Sequence, residues 1–155
     1  MFDKVSDPKD VILVEGQVPI RHRYTPGVAG EAFFKELKQG RFVGSRCESC
    51  AITYVPARLF CERCFDGPLD AGTKVGPEGT VESFTVGDRG LDGERYDEPR
   101  VLALIRLDGA DTVLVHYLVD TDHLMVGQRV EPVFLPARQR TGSMLDLRGF
   151  RAAGG

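Results

Sequence analysis

Tryptophan is absent from the 155 residues, histidine occurs three times, and the four cysteines are all confined to positions 47 to 64. Each scarcity excludes something. No apolar run approaches the roughly 20 residues that a membrane-spanning helix needs, so no membrane partner is expected. The start, Met1-Phe2-Asp3-Lys4-Val5-Ser6-Asp7-Pro8, lacks the basic and apolar segments of a secretory signal, and a cytoplasmic location is expected. The sequence also has no Gly-x-Ser-x-Gly elbow, Walker loop or dinucleotide fingerprint. A nucleophile, a base and a group to orient them cannot be assembled from it, so no catalytic residue is assigned.

Cysteines restricted to two Cys-x-x-Cys pairs, in a reducing compartment, read as metal ligands rather than disulfides. Each pair sets two thiolates on a tight knuckle, and two knuckles complete a tetrahedral sulfur cage. Cys47, Cys50, Cys61 and Cys64 are therefore assigned to one metal ion. Four sulfurs leave no open coordination position, which makes the ion structural, with Zn2+ expected. A rubredoxin-like iron centre uses the same sulfur geometry and is the alternative, whereas a thioredoxin-like redox pair would need a βαβ context that the sequence lacks.

Charge is unevenly spread. Arg21 to Cys64 carries eight Lys/Arg against four Asp/Glu, and Phe65 to Gly155 carries ten against fifteen. The first half is basic and can meet a phosphorylated small molecule, an acidic partner or nucleic acid.

Four segments follow from the pattern. Residues 1–24 mix prolines, charges and short apolar pieces, and read as an arm. Thr25-Pro26 offers a capping hydroxyl and a first-turn proline, and Val28, Phe33, Phe34 and Leu37 share a face up to a stop at Gly40. An amphipathic helix is thus predicted over Pro26 to Gln39, within a segment 25–40. Gly27 and Gly30 weaken its first turn. Short strands at Arg41 to Arg46 and Ile52 to Val55 frame the cysteine knuckles in a ribbon over 41–70. Alternating strands are then predicted at Thr80 to Val86, Val101 to Leu107, Val113 to Val119, Arg129 to Leu135 and Met144 to Phe150. Five strands without helices between them predict a closed barrel of the OB-fold type over 71–155, tail included. The fold class is mainly β with an N-terminal helix: a rubredoxin-like ribbon followed by a five-stranded OB-fold barrel.

Two further features carry expectations. His116 alternates with Leu114 and Leu118 and reads as a hydrogen-bonded histidine inside the sheet rather than a base. Gly87 to Pro99 reads as a long loop, either a solvated hairpin tip or a partner contact.

The ordered series Phe33-Phe34-Lys35-Glu36-Leu37-Lys38-Gln39-Gly40-Arg41, Cys47-Glu48-Ser49-Cys50, Tyr54-Val55-Pro56-Ala57-Arg58, Cys61-Glu62-Arg63-Cys64 and Gly79-Thr80-Val81-Glu82-Ser83-Phe84-Thr85 resembles the zinc-ribbon OB-fold proteins associated with acyl-CoA metabolism. Val126-Gly127-Gln128-Arg129-Val130 resembles the family's turn before a late strand, and the likeness runs from about Thr25 to Phe150. Two departures stand out: Pro56 is followed by Ala57 where the family often has a second proline, and the arm exceeds the core pattern. The resemblance implies an accessory subunit of a thiolase-like enzyme that cleaves or forms carbon–carbon bonds in CoA thioesters, with the partner supplying the catalytic residues. It also implies a role in holding coenzyme A, for which the basic half offers Arg41, Arg46 and Arg58 as phosphate contacts. The alternatives are a nucleic-acid-binding module, disfavoured by the acidic barrel half and missing tryptophan, and an electron carrier.

Overall fold

A computed structural model describes residues 24–90, 93–119 and 124–154. The arm predicted before Tyr24 lies outside the described residues. One helix, α1 (Gly27–Lys38), precedes β1 (Phe42–Cys47), β2 (Ile52–Tyr54) and β3 (Thr73–Val75), which form a three-stranded antiparallel sheet with β1 in the middle. The remaining strands are β4 (Gly79–Arg89), β5 (Arg95–Leu107), β6 (Leu114–Leu118), β7 (Arg129–Phe134) and β8 (Leu147–Ala152). They close in the order β4-β5-β6-β8-β7, and Gly79 opposite Val130 joins β4 back to β7. Every pairing is antiparallel except β6 with β8, where Leu118 lies opposite Phe150. This is the expected mainly β, five-stranded OB-type barrel.

The helix ends as its sequence dictates. The Arg41 N–H reaches the Glu36 carbonyl at 3.0 Å and the Gly40 N–H reaches that of Leu37 at 2.9 Å, a Schellman motif closed by Gly40 at φ +76°. Its beginning differs from the prediction. Pro26, not Thr25, occupies the cap position, where its apolar ring offers no acceptor to the first-turn N–H groups, and Gly27 turns the chain at φ +73° just inside it. Ala29, Phe33 and Leu37, spaced by four, are buried, while Val28 points to solvent. Burying Phe33 and Leu37 stabilises by roughly 2 kcal/mol each.

That buried face meets the barrel through β1. Phe42 stacks on Phe150 of β8 at 6.1 Å between ring centroids and tilts against Phe134 of β7 at 5.5 Å, so helix, sheet and barrel share one apolar core. A second seam runs along β2. Thr53 donates its N–H to the Asp111 carboxylate at 2.8 Å and accepts from the Asp111 N–H at 2.9 Å. Val55 donates its N–H to the Thr112 hydroxyl at 2.8 Å, and that hydroxyl donates to the Val55 carbonyl at 3.0 Å. The β5–β6 turn thereby satisfies the outer edge of β2 as a neighbouring strand would.

Two predicted segments are corrected, and one short strand carries no signal in the sequence. Gly87 to Pro99 is largely paired: Gly87 lies opposite Arg100 and Arg89 opposite Arg95, across a bulge. The sequence reads as loop because this hairpin extension has no buried face and needs no apolar alternation. Met144 to Phe150 is not one strand. Met144–Asp146 is a 3-10 turn with a Ser143 capping box, and the strand starts at Leu147. Strand β3 spans only three residues and is too short for a period to appear.

The 3-10 turn is organised by Asp146, which is 1% exposed. Its carboxylate accepts from the Thr141, Gly142 and Ser143 N–H groups at 2.8, 2.7 and 3.3 Å. Burial alone would raise its pKa, but these donors outweigh burial and hold it below the ordinary carboxylate value. Asp146→Ala strands those N–H groups and is expected to destabilise by about 2–3 kcal/mol at pH 7 in urea unfolding. Because the folded pKa lies below the unfolded one, this stabilisation is complete above about pH 5 and drains away as pH falls through about 4 and below. The difference between wild type and variant should therefore shrink at pH 3.

Candidate metal centre

The β1–β2 hairpin carries the first knuckle, with Cys47 ending β1 and Cys50 in the turn, and the segment after Arg58 carries the second. Positioning depends on close backbone approach. A Cβ at Gly44 would fall 2.3 Å from the Tyr54 carbonyl oxygen, so only glycine lets β1 lie this near β2. Ser45, fully buried, accepts from the Arg58 N–H at 2.8 Å and ties β1 to the approach of the second knuckle.

The four sulfur atoms lie within 4.8 Å of one another, with Cys47 and Cys64 at 3.6 Å. A zinc–sulfur bond of about 2.3 Å sets tetrahedral sulfur–sulfur edges near 3.8 Å, so the donor set fits a tetrahedral cation. Cys47 and Cys61 are fully buried, Cys50 is half-buried and Cys64 is exposed.

The chemistry of the donors points the same way. Cys61 is lowered to about 6, chiefly because the Tyr54 hydroxyl donates to its sulfur at 3.2 Å, aided by the Cys64 backbone N–H and opposed by burial. Tyr54 is correspondingly pushed up to about 12 by that bond. Cys50 is pushed up to about 12 by contact with the Cys64 sulfur, then by burial and the remaining sulfurs. Neighbouring thiolates resist joint ionisation, and a bound divalent cation is what stabilises four of them together.

Sequence reasoning did not assign a role to Tyr54. It is fully buried, its hydroxyl reaches a ligand sulfur, and the Arg58 guanidinium lies 5.0 Å over its ring. Its place at the head of the Tyr54-Val55-Pro56-Ala57-Arg58 segment, on a strand facing the knuckles, is the one signal that could have revealed this.

The three arginines proposed for phosphate contact are each engaged locally. Arg41 pairs with Glu36 at 2.7 Å, Arg46 with Glu48 at 3.4 Å, and Arg58 with Glu62. His116 does face inward with Leu114 and Leu118, edge-on to Phe150 at 6.2 Å. Its Nδ1 makes no hydrogen bond of ordinary geometry among the described residues. Burial lowers its pKa, with backbone groups of Met144 and Tyr117 opposing. Among the described residues no helix is long and apolar enough to cross a membrane.

Tyr54→Phe removes the hydroxyl and keeps the packing, and is expected to weaken zinc binding about tenfold in competition with a chromophoric chelator. Cys64→Ser should leave less than half an equivalent of zinc by elemental analysis and lower the melting temperature.

Comparison with known proteins adds to this geometry. The model of the ChsH2 rubredoxin-like zinc ribbon domain matches residues 34–70, and that of the ChsH2 C-terminal OB-fold domain matches residues 72–135. A DUF35 domain-containing scaffold protein of Methanothermobacter thermautotrophicus is 27% identical over 110 residues, covering 70% of this chain and 82% of the relative. A DUF35-family protein of unknown function from Sulfolobus solfataricus has a solved structure of TM-score 0.63 at 30% identity, over 81% of this chain and 86% of that one. The Ltp2–ChsH2(DUF35) aldolase is similar with a TM-score of 0.57 at 27% identity, over 78% and 91% of the two chains. With a four-cysteine ribbon joined to a closed five-stranded barrel, and with these likenesses along most of its length, the chain belongs to the DUF35 family.

Proposed function

We propose that this chain is a non-catalytic accessory subunit of a thiolase-like enzyme acting on acyl-CoA thioesters, giving docking and structural support while the enzyme performs carbon–carbon bond chemistry. The observation that carries this reading is the likeness to the aldolase's DUF35 chain over 91% of that chain. The scaffold description of the archaeal relative supports it. So does the donor set, since four sulfurs around one zinc leave no position for water or substrate, and the ion holds the ribbon in shape.

Coenzyme A contacts belong to the same proposal. Arg41, Arg46 and Arg58 surround the ribbon with half-exposed guanidiniums, and their pairs with Glu36, Glu48 and Glu62 are solvent-exposed. Exposed ion pairs contribute at most about 1 kcal/mol, so a multiply charged phosphate at the enzyme interface displaces them readily.

The experiment is to tag the full chain in its native cells and recover it gently. The expected result is an enzyme of the thiolase class in a complex of defined mass, with carbon–carbon bond activity that falls when this chain is removed. Recovery of nucleic acid, or of the chain alone, sinks the reading. In the recovered complex, changing Arg41, Arg46 and Arg58 together to alanine should weaken CoA binding at least about tenfold by calorimetry. Unchanged affinity removes these residues from the CoA site without touching the subunit assignment.

A further inference from the structure

Where they pair, over residues 101–105 and 114–118, strands β5 and β6 are largely apolar on both faces. Val101, Ala103 and Ile105 point into the barrel opposite Leu118, His116 and Leu114. On the outer face Leu102 lies opposite Tyr117 and Leu104 opposite Val115, with Val119 just past the end of β6. These five outward side chains are between 37% and 52% exposed. A strand covered on one face alternates apolar with polar residues, whereas a strand buried on both reads as a continuous apolar run. Val101 to Ile105 and Val113 to Val115 are of the second kind, yet the described residues cover only their inner face. Scattered exposed apolar residues are ordinary, but a contiguous two-strand row marks an interaction surface.

At one end the row runs into an open concavity of about 780 Å³, lined in part by Tyr117, Val119, Arg95, Arg100 and Arg148. Arg100 is held over the Tyr96 ring at 4.1 Å. Elsewhere on the barrel Arg106, Arg129 and Arg151 are neutralised by Glu82, by Glu78 with Asp108, and by Glu131. Arg95, Arg100 and Arg148 make no ion pair among the described residues, although Asp97 and Glu98 also line the concavity. An apolar centre with tyrosine and arginine at its margin is the composition of a protein–protein interface.

We propose that the outer face of β5 and β6 is the surface on which the enzyme subunit docks, and that the enzyme presents an apolar patch bordered by carboxylates that pair with Arg95, Arg100 and Arg148. This rests on the accessory-subunit reading. A second copy of this chain is a poorer complement, because it brings the same three arginines against two carboxylates and leaves a cationic excess. A nucleic-acid strand satisfies the arginines but leaves the aliphatic row wet.

The test uses the enzyme recovered with the tagged chain, separated from it and titrated against purified full-length variants. Val115→Lys combined with Tyr117→Lys is expected to weaken binding at least about tenfold. Arg100→Glu combined with Arg148→Glu should weaken it comparably and flatten its salt dependence. Val28→Lys, on the exposed side of α1, should change nothing. Thermal melts and zinc content establish that each variant is folded, and the arginine pair carries the test if the lysine pair is not. Equal affinity for folded variants and wild type overturns this face while leaving the accessory role intact, whereas recovery of no enzyme overturns both. A free chain that sediments as a dimer, and as a monomer after Val115→Lys and Tyr117→Lys, assigns the face to a second copy and overturns the enzyme as its occupant. Tight binding of a single-stranded oligonucleotide, lost in the arginine pair, overturns it equally.

Discussion

The ribbon's knuckles depend on holding four thiolates within a few ångströms of one another. The ribbon has almost no apolar core of its own: its buried cluster is Cys47, Ile52, Tyr54 and Cys61, with Cys50 and Leu69 packed against it. Two of those four buried side chains are ligands. A segment this small cannot offset its chain entropy by hydrophobic burial, so the cation supplies what a core would. Tyr54 is where that stabilisation passes inward, because its hydroxyl bonds a ligand sulfur while its strand is clamped to the barrel turn at Asp111 and Thr112.

A closed metal cage has consequences for function. With every coordination position taken by sulfur, the ion can shape the ribbon but has no position for a substrate, and on the proposed reading the chain works through its surfaces. Those surfaces fall into two kinds. Around the ribbon, Arg41, Arg46 and Arg58 are already paired with carboxylates. On the barrel, Arg95, Arg100 and Arg148 border an apolar row without such partners among the described residues. The first group can exchange a weak partner for a stronger anion, and the second lacks one in the described chain.

Much of this architecture was legible in the sequence because it is written locally. Cysteine spacing gives the knuckles, Gly40 the helix stop, and short alternating or continuous apolar runs four of the barrel strands. What escaped is non-local or too short. Pairing of Thr53 and Val55 with a turn almost 60 residues away has no period to betray it. Strand β3 spans three residues, and the 87–99 hairpin has no buried face to impose a pattern. Tyr54 looked like any strand tyrosine until the fold set its hydroxyl on Cys61. The apolar runs of β5 and β6 were visible as strands, but only the register of Leu102 with Tyr117 and Leu104 with Val115 shows that half of each run faces outward.

Ribbon and barrel could have been two beads on a linker, and the packing of Phe42 shows why they are not. Its ring stacks on Phe150 and meets Phe134, both from barrel strands, while its own strand leads into Cys47. Pulling the ribbon away exposes that ring and unpairs the half-buried Asp111–Thr112 seam at once, so the two modules move as one body. On the accessory-subunit proposal, this rigidity matters more than the stability of either part. A surface already fixed relative to its neighbours loses little conformational entropy on binding, so more of the contact energy between the outer row and a partner appears as affinity.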